Sequence, residues 1–189
     1  MWTRFFETSW PQCKLREPAS QELLEKCEDE LNVSIPLPLQ QLLRETNGVA
    51  DPHSECLIFS VEEMLECTED MWFNTDYEQR FQPFVSLLFF GTDASDNLFA
   101  YPILGDKPDK SKVFKWRRDN DSRMYYADGL EQYFYKRWKC LEQGDSALWD
   151  QKLSCKDFDD YKTFITGGGG ADFSPDFAPD SSTPGSMSG

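Results

Sequence analysis

Residues 84–91, FVSLLFFG, form an apolar run broken only by Ser86. Its length suits a strand, and a strand apolar at consecutive positions has to be covered on both faces. The stretch TDASDN follows, and then a second apolar segment from Leu98 to Ile103. Asp, Asn and Ser bond their own backbone in turns, so the pair predicts a hairpin with a longer loop. Whatever fold this chain adopts must place material above and below that hairpin.

The segments on either side supply the material. VFKWRRD, residues 113–119, alternates and predicts a third strand, with residues 104–112 as the preceding turn. DNDS predicts another turn and RMYYA, 123–127, a fourth short strand. CLIFS, 56–60, is a short strand after a polar loop at 49–55. Helical spacing appears from Ser20 to Leu31, where Leu23, Leu24, Cys27 and Leu31 share a face and Ser20 can cap. Asn32 offers a stop. IPLPLQQLLRETNG, 35–48, predicts a second helix with Pro38 in its first turn and Asn47-Gly48 closing it. Ser60 and Glu63 form a capping box for a third helix, 61–73. Asp128 and Glu131 do the same for a fourth, in which Leu130, Phe134, Trp138 and Leu141 lie together.

Helices, then strands, then a helix, with no internal repeat, predict an α+β fold. Its core is a central, mainly antiparallel sheet of about four to six strands, flanked by N-terminal helices and a C-terminal helix. Residues 1–141 would form this domain, with an aromatic segment at 1–19 that lacks a clear period and packs back through Trp2, Phe5, Phe6 and Trp10. Residues 142–166 predict a helical extension through Phe158, Tyr161 and Ile165. Residues 167–189 hold Gly, Ser, Pro and Asp with no Lys or Arg, a composition that predicts a disordered tail.

The formal net charge is -15. Only Asp172, Asp176 and Asp180 of that surplus sit in the tail, so the acidity belongs to the domain. Binding phosphates needs clustered Lys and Arg, so nucleic acid and anionic membrane surfaces are excluded as partners. A basic protein is the electrostatic complement. The six cysteines include no C-x-x-C pair, and the N-terminus lacks the apolar core of a signal peptide. Reduced thiols and a cytoplasmic location are the expectation.

Catalytic and metal motifs are missing. His53 is the only histidine, and with Asp51 and Cys56 it offers too few ligands for structural zinc. The aspartates near Asp93 and Asp119 lack the spacing of a calcium loop. The glycines at 167–170 neither follow a strand nor open a helix, so they are no phosphate cradle. No cofactor, metal or enzyme activity is expected. Partner-binding candidates are Glu62, Glu66, Glu69 and Asp70 on the outer face of helix 61–73, Trp72 and Phe73 at its end, and Asp93 and Asp96 in the hairpin turn. KWRR, 115–118, is a basic island expected to pair with local acids.

The order of these elements resembles the SUKH superfamily. Ile35, Pro36, Leu39, Leu42, Leu43, Asn47 and Gly48 are similar to its Pro-containing second helix ending in Asn-Gly. Phe90, Gly91, Asp93, Asp96 and Leu98 to Ile103 are similar to its central hairpin, in which a Gly-ended strand meets an acidic turn. The likeness covers roughly residues 20–140. It implies a binding scaffold without a shared catalytic centre. Such a scaffold would be an immunity protein that neutralises a basic toxin domain such as a nuclease, or a regulatory adaptor of the Smi/Knr type in a eukaryotic or viral host.

Overall fold

The computed structural model describes residues 1–143 apart from Ser54 and Asp106. The expected extension, from residue 144 on, and the expected tail lie outside the described residues. The chain opens with helix α1 (Trp2–Ser9), strand β1 (Lys14–Leu15), and helices α2 (Gln21–Leu31) and α3 (Leu37–Glu45). Strands β2 (Val49–Ala50) and β3 (Cys56–Ile58) lead to helices α4 (Val61–Phe73) and α5 (Thr75–Arg80). Strands β4 (Leu87–Thr92), β5 (Leu98–Leu104), β6 (Lys107–Pro108), β7 (Val113–Arg117) and β8 (Ser122–Ala127) follow, and helix α6 (Gly129–Gln143) closes the described part.

The main sheet has five strands in the order β4-β5-β7-β8, with β6 beside β5, and every pairing is antiparallel. A smaller antiparallel sheet runs β1-β2-β3. The two meet where the Phe59 N–H donates to the Phe90 carbonyl at 2.8 Å. The expected α+β class is therefore present, and the five antiparallel strands of the main sheet fall within the expected four to six.

The apolar run after residue 84 is buried from both sides, as its composition requires. Leu88 and Phe90 face the large core shared with the helices. Leu87 and Phe89 face a second cluster with Met71, Phe84, Ala100 and Trp116. The strand starts three residues later than the apolar pattern, at Leu87, because Phe84 turns into the second cluster instead of joining the ladder. Gly91 has a specific reason to be glycine. A Cβ there would stand 2.2 Å from the Leu57 carbonyl oxygen, so β3 could not approach.

Four local expectations need correction. Residues 2–9 are helical, with Trp2, Phe5 and Phe6 buried on one face at i, i+3 and i+4. Eight residues are too few for that period to stand out. The second predicted helix stops at Glu45, before Asn47-Gly48. Gly48 instead has φ +105 and lies against the backbone of Ile58 to Ser60, where a side chain would crowd. Asn47 caps a different helix: its Oδ1 accepts the Val61 N–H at 2.8 Å. The polar loop expected at 49–55 begins later, because Val49 and Ala50 form β2, and it is anchored by the buried Asp51, which accepts the backbone N–H groups of His53 and Glu55. The 104–112 turn contains the short strand β6, paired with the end of β5. At the start of α6, the backbone N–H of Asp128 donates to Gln132.

Candidate partner-binding face

Helix α4 is set by local sequence at its start. Ser60 accepts the Glu63 N–H at 3.2 Å and Glu63 accepts the Ser60 N–H at 2.8 Å, a complete capping box. Val61, Met64, Thr68 and Met71 are buried, which turns Glu62, Glu66, Glu69 and Asp70 outward. The four predicted acids therefore share one exposed flank.

That flank is costly to the helix. Glu62 and Glu66, and Glu66 and Asp70, are like charges at i, i+4, each pair opposing helix formation by about 0.2–0.5 kcal/mol. Asp70 sits in the last turn, which carries no basic residue, although the negative end of the helix dipole favours cations there. Glu66 and Glu69 have no hydrogen-bond or ion-pair partner among the described residues. Glu62 accepts from Asn47 Nδ2 at 3.0 Å, and Asp70 from Asn74 Nδ2 at 2.9 Å. Partial burial opposes ionisation of Glu62, yet bonds from its own N–H, Asn47 and Ser60 hold its carboxyl below the usual carboxylate range. Helix stability does not account for this arrangement.

The flank is one wall of a groove between α2 and α4, about 380 Å³ in volume. Leu23, Cys27, Val61 and Leu65 line its apolar part. Lys26 stands on the α2 side, 3.7 Å from Glu30. The groove lies in a negative field. Burial, followed by Glu28, Glu30, Glu69 and Glu62, pushes the Cys27 thiol up to about 12. Burial, Asp70 and Glu66 do the same to Cys67. The pairing of α2 with α4 had no signal in the sequence, because it joins segments that are far apart in the chain.

The remaining candidates divide. Trp72 is half-buried and its indole N–H donates to the Leu87 carbonyl at 2.9 Å, so it braces α4 against the sheet. Phe73 is 68% exposed, edge-on to Trp72 at 6.0 Å. Asp93 is only 6% exposed and pairs with Lys115 at 2.9 Å. It also accepts the Ser95 N–H at 2.9 Å, the Asn97 N–H at 3.2 Å and Asn97 Nδ2 at 3.0 Å. Its carboxyl is thereby held below the ordinary range although burial works against it. Asp96 is exposed at φ 56 with Arg118 3.5 Å away. Arg117 pairs with Asp119 at 2.7 Å, so the basic island is matched by local acids.

His53 is exposed, and the Asp51 carboxylate binds its backbone N–H. Among the described residues no group of three or more His, Cys, Asp and Glu could hold a metal ion. No helix among them is long and apolar enough to cross a membrane.

A SUKH-family model described as SMI1-KNR4 cell-wall matches residues 21–134. The match runs from the first residue of α2 into α6, so it takes in the groove and the central hairpin and leaves out α1. No curated protein matches the sequence.

Proposed function

This chain belongs to the SUKH superfamily through its SMI1-KNR4 match, and from that premise we propose that it is a non-catalytic module capturing a cationic protein on the acidic flank of α4. The family supports a protein-binding immunity or regulatory role. The finer reading is an immunity protein: carboxylates of Glu62, Glu66, Glu69 and Asp70 would occupy Lys and Arg that a toxin domain, such as a nuclease, uses on phosphates. Phe73 would add an apolar anchor at the end of the helix. The observation that carries the proposal is Glu66 and Glu69, two exposed carboxylates with no partner among the described residues, placed where they weaken their own helix. The cell-wall wording of the family description supports a second reading, a regulatory adaptor using the same flank.

The test compares capture by the full chain and by a Glu66→Lys/Glu69→Lys variant from the native host, at low and high salt. The proposal expects a cationic partner held by the parent chain, lost from the variant and released by salt, as screening of surface charge requires. Partners that are acidic or neutral, or retained equally by the variant, would overturn it. A captured protein with toxin activity that this chain suppresses supports the immunity reading; a partner without such activity favours the adaptor.

A further inference from the structure

The groove beside the acidic flank carries information about the shape of the partner as well as its charge. Its floor is apolar, through Leu23 of α2 and Leu65 of α4, both half-buried against the main core. Its α4 wall is anionic, and its α2 wall presents Lys26 already near Glu30. An occupant must therefore show two chemistries side by side: an apolar stripe facing down and a cationic stripe facing α4.

We infer that the groove between α2 and α4 binds a basic amphipathic helix of the partner, with Lys or Arg opposite Glu62, Glu66 and Glu69 and an apolar stripe seated on Leu23 and Leu65. This deepens the capture proposed above and rests on it. The spacing argues for a helix. Glu62, Glu66 and Glu69 rise by about 6 and then about 4.5 Å along α4. A partner helix with cations at i, i+4 and i+7 repeats those steps. An extended segment places same-face residues about 6.8 Å apart and falls out of step by the third charge. A helix also sets apolar positions i+1, i+5 and i+8 on the neighbouring stripe, about 100° round, where the floor lies. An extended chain sends alternate residues to opposite faces and would lift half of them off the groove. Laying an amphipathic helix into an apolar groove is an established recognition mode, and here the acids set which kind of helix enters.

The test uses the full chain and a synthetic peptide of about 15 residues, long enough to form a helix on binding. The peptide carries Lys at i, i+4 and i+7 and Leu at i+1, i+5 and i+8. A second peptide has the same charge with two central prolines. Fluorescence anisotropy should give the helical peptide about tenfold or greater advantage, the size of effect expected for apolar anchors seated together. Circular dichroism should show helix gained on mixing. Leu65→Ser and, separately, Leu23→Ser should each weaken binding about tenfold, with thermal melts confirming that the variants fold.

Equal binding of the proline peptide would overturn the inference in favour of an extended occupant. Peptide binding unchanged in both serine variants would overturn it in favour of charge alone. Sedimentation showing a dimer that the peptide breaks would assign the groove to a second copy and also overturn it. The two levels separate cleanly. If Glu66→Lys/Glu69→Lys abolishes capture of the natural partner while the serine variants do not, the acidic flank stands and the helical occupant falls. If the lysine variant leaves capture intact, both fall.

Discussion

Asp93 lies in the turn after β4 with its carboxylate 2.9 Å from Lys115, whereas Glu66 stands on the outer flank of α4 with no partner among the described residues. Around Asp93 the fold surrounds charge with compensation. Three N–H bonds from Ser95 and Asn97 saturate the carboxylate, and Lys115 lies 5.7 Å from the Phe99 ring centroid. Arg137 crosses the same ring at 5.3 Å and reaches Glu55 at 3.1 Å. Around Glu66 no described residue compensates, and like charges sit one turn away on either side. The two regions show that acidity is not one property. Buried carboxylates with partners hold the hairpin turn in place, and exposed ones without partners are available to another molecule.

The sharpest way to break this comparison is to truncate the buried acid. Asp93→Ala should cost about 3–5 kcal/mol, because it strands the Lys115 ammonium in the interior. Replacing both, as in Asp93→Leu/Lys115→Met, should recover the part due to the stranded ammonium and leave the part due to the Ser95 and Asn97 N–H groups, which lose their acceptor. Chemical denaturation of the three proteins checks both statements. The pH dependence has a definite sign. The folded carboxyl of Asp93 is depressed, so its contribution is complete above the unfolded value of about 3.9 and is lost as pH falls below it. The parent should therefore lose stability more steeply in that acid range than the double replacement does.

A smaller effect is expected at Gly91, which lets the turn-bearing strand sit against β3. Gly91→Ala forces a methyl onto the Leu57 carbonyl and should cost about 1–3 kcal/mol, measured as a lowered thermal midpoint. The smallest stability effect belongs to the flank, and its sign is opposite. Glu66→Lys removes two repulsions and creates a favourable Glu62–Lys pair, so it should stabilise the fold by about 0.6–1.5 kcal/mol. The same change should weaken partner capture. A variant that is more stable and yet binds less would sharpen the comparison; destabilisation would show that Glu66 belongs to the fold after all.

Much of the candidate face was legible because it depends on one helix. Ser60 and Glu63 mark where α4 begins, and Val61, Met64 and Leu65 on the inward side place the acids outside. The apolar run at 84–91 declared a two-faced strand by composition alone, though not its start at Leu87. Other features were not legible. The short period of Trp2, Phe5 and Phe6 could not be separated from a mere aromatic cluster until they packed on Phe134. Asn47 looked like the end of its own helix and instead caps α4 across two strands and the loop between them. Trp72 and Phe73 are neighbours with the same aromatic character, yet one bonds the sheet and the other faces solvent.

Sequence alone determined helices α2 and α4 with their N-caps, the strands β4, β5, β7 and β8, the both-sided burial of the central strand and the surplus of negative charge, since each follows from residues within a few turns of one another. Tertiary structure alone decided that Asp93 turns inward while Asp96 stays out, and that α2 supplies the second wall of the groove. Those outcomes depend on Lys115 and Leu23, partners brought close only by folding, and a local pattern carries no record of which distant cation or apolar side chain will arrive beside it.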